Sequence, residues 1–310
     1  MEKTRAHLLA VVALAGAGLL TCGGPRRPPG PPSGAEVFSR EFDLKAGLGP
    51  RWNERSCVEC HDFGRPGGPS EVVERHEELP GCAGIRIFKV FAAPGLQPEV
   101  PPDSAAFRIA NDLFASGMIA ALTDEQIRAR VGDPDGNGVS GFANVLADNR
   151  IGRFGRKAQV ATLEEFVQLA FREEQGIEVP KELSVAELEA TVEFVRSLSL
   201  PPVEGHEEEK SLFERVGCAE CHPPPIYSDV LLYELEPVED ICFGSAQEAH
   251  FRSEPLVGLR LQKAFMHDGK SPTIEDAIRR HGGGARSARE KFLQLDSNQR
   301  RRLLEFLEKL

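Results

Sequence analysis

The chain has 310 residues, enough for two cores, and its usage is ordinary for globular proteins at 41% apolar and 27% charged. That balance excludes disordered, collagen-like and multi-span membrane classes. A formal net charge of -11 disfavours nucleic acid as a partner, and it suits either a basic protein partner or plain solubility.

In chain order, Lys3 and Arg5 precede an apolar run from Leu8 to Leu20 that is too short to span a bilayer comfortably. Residues 1–21 therefore read as a signal peptide, and export to the periplasm or cell envelope is expected. The run ends Leu19-Leu20-Thr21-Cys22-Gly23, similar to a bacterial lipoprotein cleavage box, with Cys22 as the acylated N-terminus that anchors the protein to a membrane. Ordinary cleavage nearby is the alternative. Residues 22–34 read as a tether, because the five prolines among residues 23–34 can neither pack a core nor pair in a sheet.

Helical periodicity dominates the remainder. Residues 35–56 lead up to a first Cys cluster, with Phe38 and Phe42 four apart on one face. Residues 162–174 and 185–198 space their apolar side chains at three and four, with Thr162 and Ser184 placed as N-caps and Glu165 and Glu187 three residues on. Leu200-Pro201-Pro202 reads as a linker, and further helices are expected over 206–216, 273–281 and 297–309. No long alternating strand stands out. The expected fold is all-α, with domains over 35–200 and 206–310 joined by long Gly/Pro-rich loops.

One short motif occurs twice. Cys57-Val58-Glu59-Cys60-His61 and Cys218-Ala219-Glu220-Cys221-His222 are both CxxCH, the attachment signature of c-type haem. Two thiols reach two vinyl groups on one porphyrin edge, and the adjacent His places a nitrogen on iron. A zinc ribbon would bring its CxxC units within about 20 residues, whereas these start 161 apart. A redox CxxC pair does not require the His. Two covalently bound haem c groups are expected, with His61 and His222 as iron ligands, so each domain is similar to a cytochrome c domain.

Asp133, Asp135 and Asn137 alternate oxygen donors as calcium loops do, although position twelve is Asn144 instead of Glu; a plain Asx-rich turn is the competing reading. Cys82 and Cys242 are the thiols left over, an even pair in an oxidising compartment, and a disulfide between them would tie the domains together. His76, in the charged run Glu74-Arg75-His76-Glu77-Glu78, reads as solvated or as a displaceable ligand of the first haem, and Met118 as core.

Further blocks carry a family resemblance. Gly47-Leu48-Gly49-Pro50, Asn53, Ser56-Cys57, Asp133-Pro134-Asp135, Gly138-Val139-Ser140-Gly141, Gly152-Arg153-Phe154-Gly155, Phe265-Met266-His267-Asp268-Gly269, Ala277-Ile278 and His281-Gly282-Gly283 resemble the di-haem oxidoreductases. That family is similar to the bacterial di-haem cytochrome c peroxidases and to relatives that oxidise protein side chains. The resemblance implies one peroxide-reactive haem and one electron-relay haem. It implies a distal ligand for the second haem fourteen residues beyond His267, which is His281, with Met266 as the alternative. It implies an open distal face at the first haem and a distal acid-base Glu, for which Glu174 takes the matching place. It adds weight to Ca2+ as a second cofactor. Where the family often carries Trp after Arg153-Phe154-Gly155, this chain has Arg156, and its one Trp, Trp52, is expected to pack the first haem pocket.

The activity implied is peroxidase-like: a small redox protein delivers electrons through the second haem and hydrogen peroxide is reduced at the first. A non-enzymatic di-haem electron carrier and a protein-modifying oxidase are the alternatives.

Overall fold

Capped, amphipathic segments supply the helices. The computed structural model describes residues 32–62, 64–70, 72–235 and 241–310. The leader at 1–21, Cys22 and most of the tether lie outside those residues. The helices are α1 (Gly34–Phe38), α2 (Cys57–Cys60), α3 (Ser116–Ala121), α4 (Asp124–Arg128), α5 (Leu163–Gln175), α6 (Val185–Ser197), α7 (Glu207–Val216), α8 (Ile274–Arg280), α9 (Arg286–Gln294) and α10 (Ser297–Leu307). Thr162 and Ser184 cap α5 and α6 through reciprocal bonds with Glu165 and Glu187, as their spacing predicts. Leu163, Val167 and Phe171 form the buried stripe of α5, one turn apart.

One expectation needs correction. The chain is not all-α: β2 (Val73–Glu78) stands between β3 (Ile85–Ile87) and β5 (Ala106–Ile109) in a three-stranded antiparallel sheet, while β1 (Arg51–Trp52) pairs with β4 (Phe91–Ala92) and β6 (Leu232–Glu234) with β7 (His250–Arg252). These strands are two to six residues long, and β2 reads Val-Glu-Arg-His-Glu-Glu, so no apolar alternation announces them. At the end of the expected tether, Ser33 caps α1 and Gly34 is its first residue. Gly34 is there for close approach: a Cβ on it would lie 1.9 Å from the Ala190 carbonyl oxygen of α6.

The first core joins Phe38, Phe42, Ile127, Phe154 and Phe171, and it also takes in Ile226, Val230, Leu231 and Tyr233 from beyond the linker. Partly buried Cys57, Val58 and Cys221 pack against it, so this one core touches both CxxCH motifs. The second core is built by α7, α9 and α10, with Leu212, Phe213, Val216, Phe292, Leu303 and Phe306. Cys82 and Cys242 form a disulfide, with Cα atoms 5.2 Å apart. Lys157 is fully buried, and its ammonium donates to the carbonyls of Gln247, Glu248 and His250, which fixes the chain leading into β7. Among the described residues no helix is long and apolar enough to cross a membrane.

Candidate functional site

The second motif is delivered by a helix stop. Gly217 adopts φ 96 at the end of α7, the left-handed conformation that glycine enters without steric cost, and turns the chain into Cys218. A cavity of about 210 Å³ opens there, lined by Cys218, Cys221, His222, Met266, His267 and His281 among mainly apolar neighbours. Both candidate axial imidazoles are oriented through Nδ1: His222 donates to the Tyr227 carbonyl at 3.0 Å and His281 to the Ala277 carbonyl at 2.7 Å. A carbonyl only accepts, so each ring carries its proton on Nδ1 and keeps Nε2 as the lone-pair donor, the arrangement usual for metal-bound imidazole. Burial lowers the pKa of His222, and burial with the nearby guanidinium charges of Arg280 and Arg289 holds His281 at about 4. Both rings are therefore neutral near pH 7, as ligation requires.

The end of α8 is clamped. Arg280 donates to both carboxylate oxygens of Asp268, at 3.1 and 2.8 Å, tying the Met266-containing turn to the residue before His281. Against the effect of burial, that guanidinium holds Asp268 at about 2. Met266 lines the cavity with a φ of 67, outside the usual range for a non-glycine residue.

At the first motif, α2 is stabilised by Glu59, whose Oε2 accepts from the amides of Arg55 and Ser56 at 2.6 and 2.8 Å. Burial pushes the Cys57 thiol up to about 12 and holds His61 at about 4. His61 Nδ1 is buried and has no hydrogen-bond partner among the described residues. The Cys60 thiol is raised by burial and by the carboxylates of Glu74, Glu174 and Glu54, which places an acidic cluster beside this motif.

Glu174 belongs to that cluster. Its carboxyl accepts from Asn53 Nδ2 at 2.7 Å, and Asn53 is itself buried and accepts from the Val90 amide. Burial, followed by the charge of Glu74, pushes Glu174 up to about 8. Burial also raises Glu74, and Glu74 accepts at 2.9 Å from His76 Nε2. The main chain fixes the approach: the amides of Gly49 and Asn53 donate to the carbonyls of Gln175 and Glu174, both at 2.8 Å, while a Cβ on Gly49 would lie 2.8 Å from the Gly176 Cα. Glu74 was hidden in a charged run that reads as solvated. Its signal was the two-residue spacing to His76, which puts both on one face of a strand.

The remaining expected residues fall elsewhere. The oxygens of Asp133 accept from the amides of Asn137 and Gly138, Asn137 Oδ1 accepts from the Val139 amide, and Asn144 is bonded to the Lys157 carbonyl and Ser245. The loop is an Asx-rich turn, and among the described residues no group of three or more His, Cys, Asp or Glu side chains is placed to hold a metal ion. The calcium reading of Asp133, Asp135 and Asn137 thus finds no support. Trp52 is half-buried and stacks on Phe91. Arg156 lines the cavity at the second motif and donates to the Ile109 carbonyl and the Asn111 side chain.

Two CxxCH motifs with buried imidazoles, and an apolar cavity at the second, fit haem, and a protein with two such motifs falls in the class of di-haem redox proteins. Residues 226–310 match the family described as "Di-haem oxidoreductase, putative peroxidase", and the chain resembles that family. The match supports a di-haem oxidoreductase with haem as its cofactor. No curated protein matches the chain. Among solved structures, a xenon-pressurized hydrazine synthase of Kuenenia stuttgartiensis is 14% identical, covering 96% of this chain and all of its own, with a TM-score of 0.49. A MauG-like protein associated with microbial copper homeostasis is 16% identical over 62% of this chain and 90% of its own, with a TM-score of 0.36. At these scores neither likeness bears on fold or chemistry.

Proposed function

We propose that the chain is an exported di-haem c-type oxidoreductase of the peroxidase kind, with Cys57, Cys60 and His61 holding the first haem and Cys218, Cys221, His222 and His281 the second. When bound, the haems supply electron transfer and a binding place for hydrogen peroxide. Electrons would enter at the second site, from a small redox protein drawn to the acidic surface. Lipidated Cys22 would keep the molecule at a membrane.

The observation that carries the reading is the raised carboxyl of Glu174 beside the first motif. Peroxide cleavage needs one group that takes a proton from one oxygen and returns it to the other, and such a group works best with a pKa near the working pH. Asn53 holds Glu174 Oε2, and the same carboxyl bonds to that of Glu74, so the proton to be moved is held between the two carboxyls. Glu74 shares the proton demand, since two close carboxyls resist ionising together. His76, the alternative ligand of the first haem, is engaged by Glu74 through Nε2.

The test is peroxide turnover by the purified holoprotein, together with EPR of the ferric state. One high-spin haem, and turnover lost in Glu174→Gln but kept in Glu173→Gln, is the expected result. Two low-spin haems inert to peroxide would overturn it.

A further inference from the structure

Tyr233 combines three properties that the proposed peroxide chemistry does not use. It is 5% exposed, it belongs to the first core, and it is the one Tyr or Trp among the residues lining the second cavity. Its hydroxyl donates to Asp229 Oδ2 at 2.7 Å. Asp229 is 4% exposed and is held by the Leu231 amide, Ser253 Oγ at 2.7 Å and Arg130 Nε at 3.3 Å. The ring is packed flat: a Cβ on Gly141 would lie 2.6 Å from the ring carbon that bears the hydroxyl.

A phenol gives up an electron at an accessible potential only if its proton leaves at the same time. In a dry interior, that proton needs an acceptor already within hydrogen-bond distance. Asp229 is such an acceptor, and its bonds to Arg130 and Ser253 keep it in place. The pair stands at the cavity of the second motif, while the one Trp of the chain, Trp52, stacks on Phe91. The core that holds Tyr233 touches Cys57 of the first motif and Cys221 of the second.

We propose that Tyr233 is a redox-active tyrosine with Asp229 as its proton acceptor. With haem held at the CxxCH motifs and hydrogen peroxide as the oxidant, Tyr233 would give up one electron toward that site, its O–H bond breaking and its proton passing to Asp229 Oδ2. A neutral tyrosyl radical and a neutral Asp229 carboxyl would result, and the peroxide-derived oxidant would be reduced by one electron. Return of one electron from the donor and of the proton from Asp229 restores the phenol. The peroxide part of this sequence rests on the function proposed above.

The test is freeze-quench EPR of the holoprotein, in two arms. One arm uses hydrogen peroxide. The other uses flash-generated tris(bipyridine)ruthenium(III), which oxidises tyrosine without any peroxide chemistry. A radical that narrows on incorporation of ring-deuterated tyrosine, vanishes in Tyr233→Phe and persists in Tyr227→Phe is the expected result. Since the chain has only two Tyr and one Trp, the assignment is complete. Asp229→Asn should slow radical formation by roughly two orders of magnitude, the scale of a lost general base, with haem absorption unchanged. A radical that survives Tyr233→Phe, or no tyrosyl signal in the ruthenium arm, overturns the proposal. If peroxide leaves both haems unaltered, the peroxidase reading falls, and the ruthenium arm alone decides the role of Tyr233.

Discussion

Glu174→Gln tests the proton site through stability as well as turnover. The carboxyl has an ordinary value of 4.5 and stands at about 8 in the folded chain, with burial as the main cause. Its folded pKa is raised, so its contribution is fully favourable below about pH 4.5 and is lost as pH climbs toward 8. A shift of about 3.5 units would be worth roughly 5 kcal/mol at 1.36 kcal/mol per unit. Sharing of the proton with Glu74, and the partial exposure of both groups, reduce this to about 2 to 3 kcal/mol. Wild type should therefore lose about that much unfolding free energy between pH 5 and pH 8 relative to Glu174→Gln, measured by urea denaturation of the holoprotein. Turnover with peroxide should fall by roughly 10² to 10⁴-fold in the same variant. Parallel stability profiles in the two proteins would refute the buried, shared proton, and undiminished turnover would refute its use.

Three further outcomes follow from other parts of the molecule. His281→Ala should convert the low-spin signal of the second haem to high-spin, unless Met266 takes its place, and then the reduction potential should rise; an unchanged spectrum would remove His281 from the iron. Cys82→Ser, with Cys242→Ser, should lower unfolding free energy by about 2 to 5 kcal/mol in urea titrations of the oxidised protein, and an unchanged midpoint would show the bridge to be dispensable. Cys22→Ser should move the protein from the membrane fraction to the soluble fraction and abolish labelling by radioactive palmitate; retention on the membrane would exclude the lipid anchor.

The residues that the sequence made legible are those whose signal is local. Thr162 with Glu165 and Ser184 with Glu187 announce two helix starts, because a capping box needs only four consecutive residues. The two CxxCH motifs are equally local, and His281 was reached by resemblance and a count along the chain. What stayed hidden depends on partners far away in sequence. β2 is a strand because Arg75 stands opposite Phe107 and His76 opposite Ile87, while its own side chains give no alternation. Helix α9 carries one fully buried side chain, Phe292, too few to set a period. Glu74 becomes part of the acidic cluster only when β2 meets the end of α5. The calcium motif differs, as oxygens of Asp133 and Asn137 accept from amides of their own turn and the local pattern is that of an Asx turn.

The apposition of Gly49 and Gly176 sets how change is tolerated around the acid group. Glu174 is registered against Asn53 by main-chain bonds across two residues that lack side chains, so its position does not depend on which apolar residues fill the buried face of α5. Exchanges such as Val167 to Ile should pass with little effect on chemistry, whereas a single methyl at Gly49 would wedge the two segments apart and act on catalysis while sparing the core. Mutational sensitivity at this centre is therefore expected to lie in glycines remote from any reacting atom.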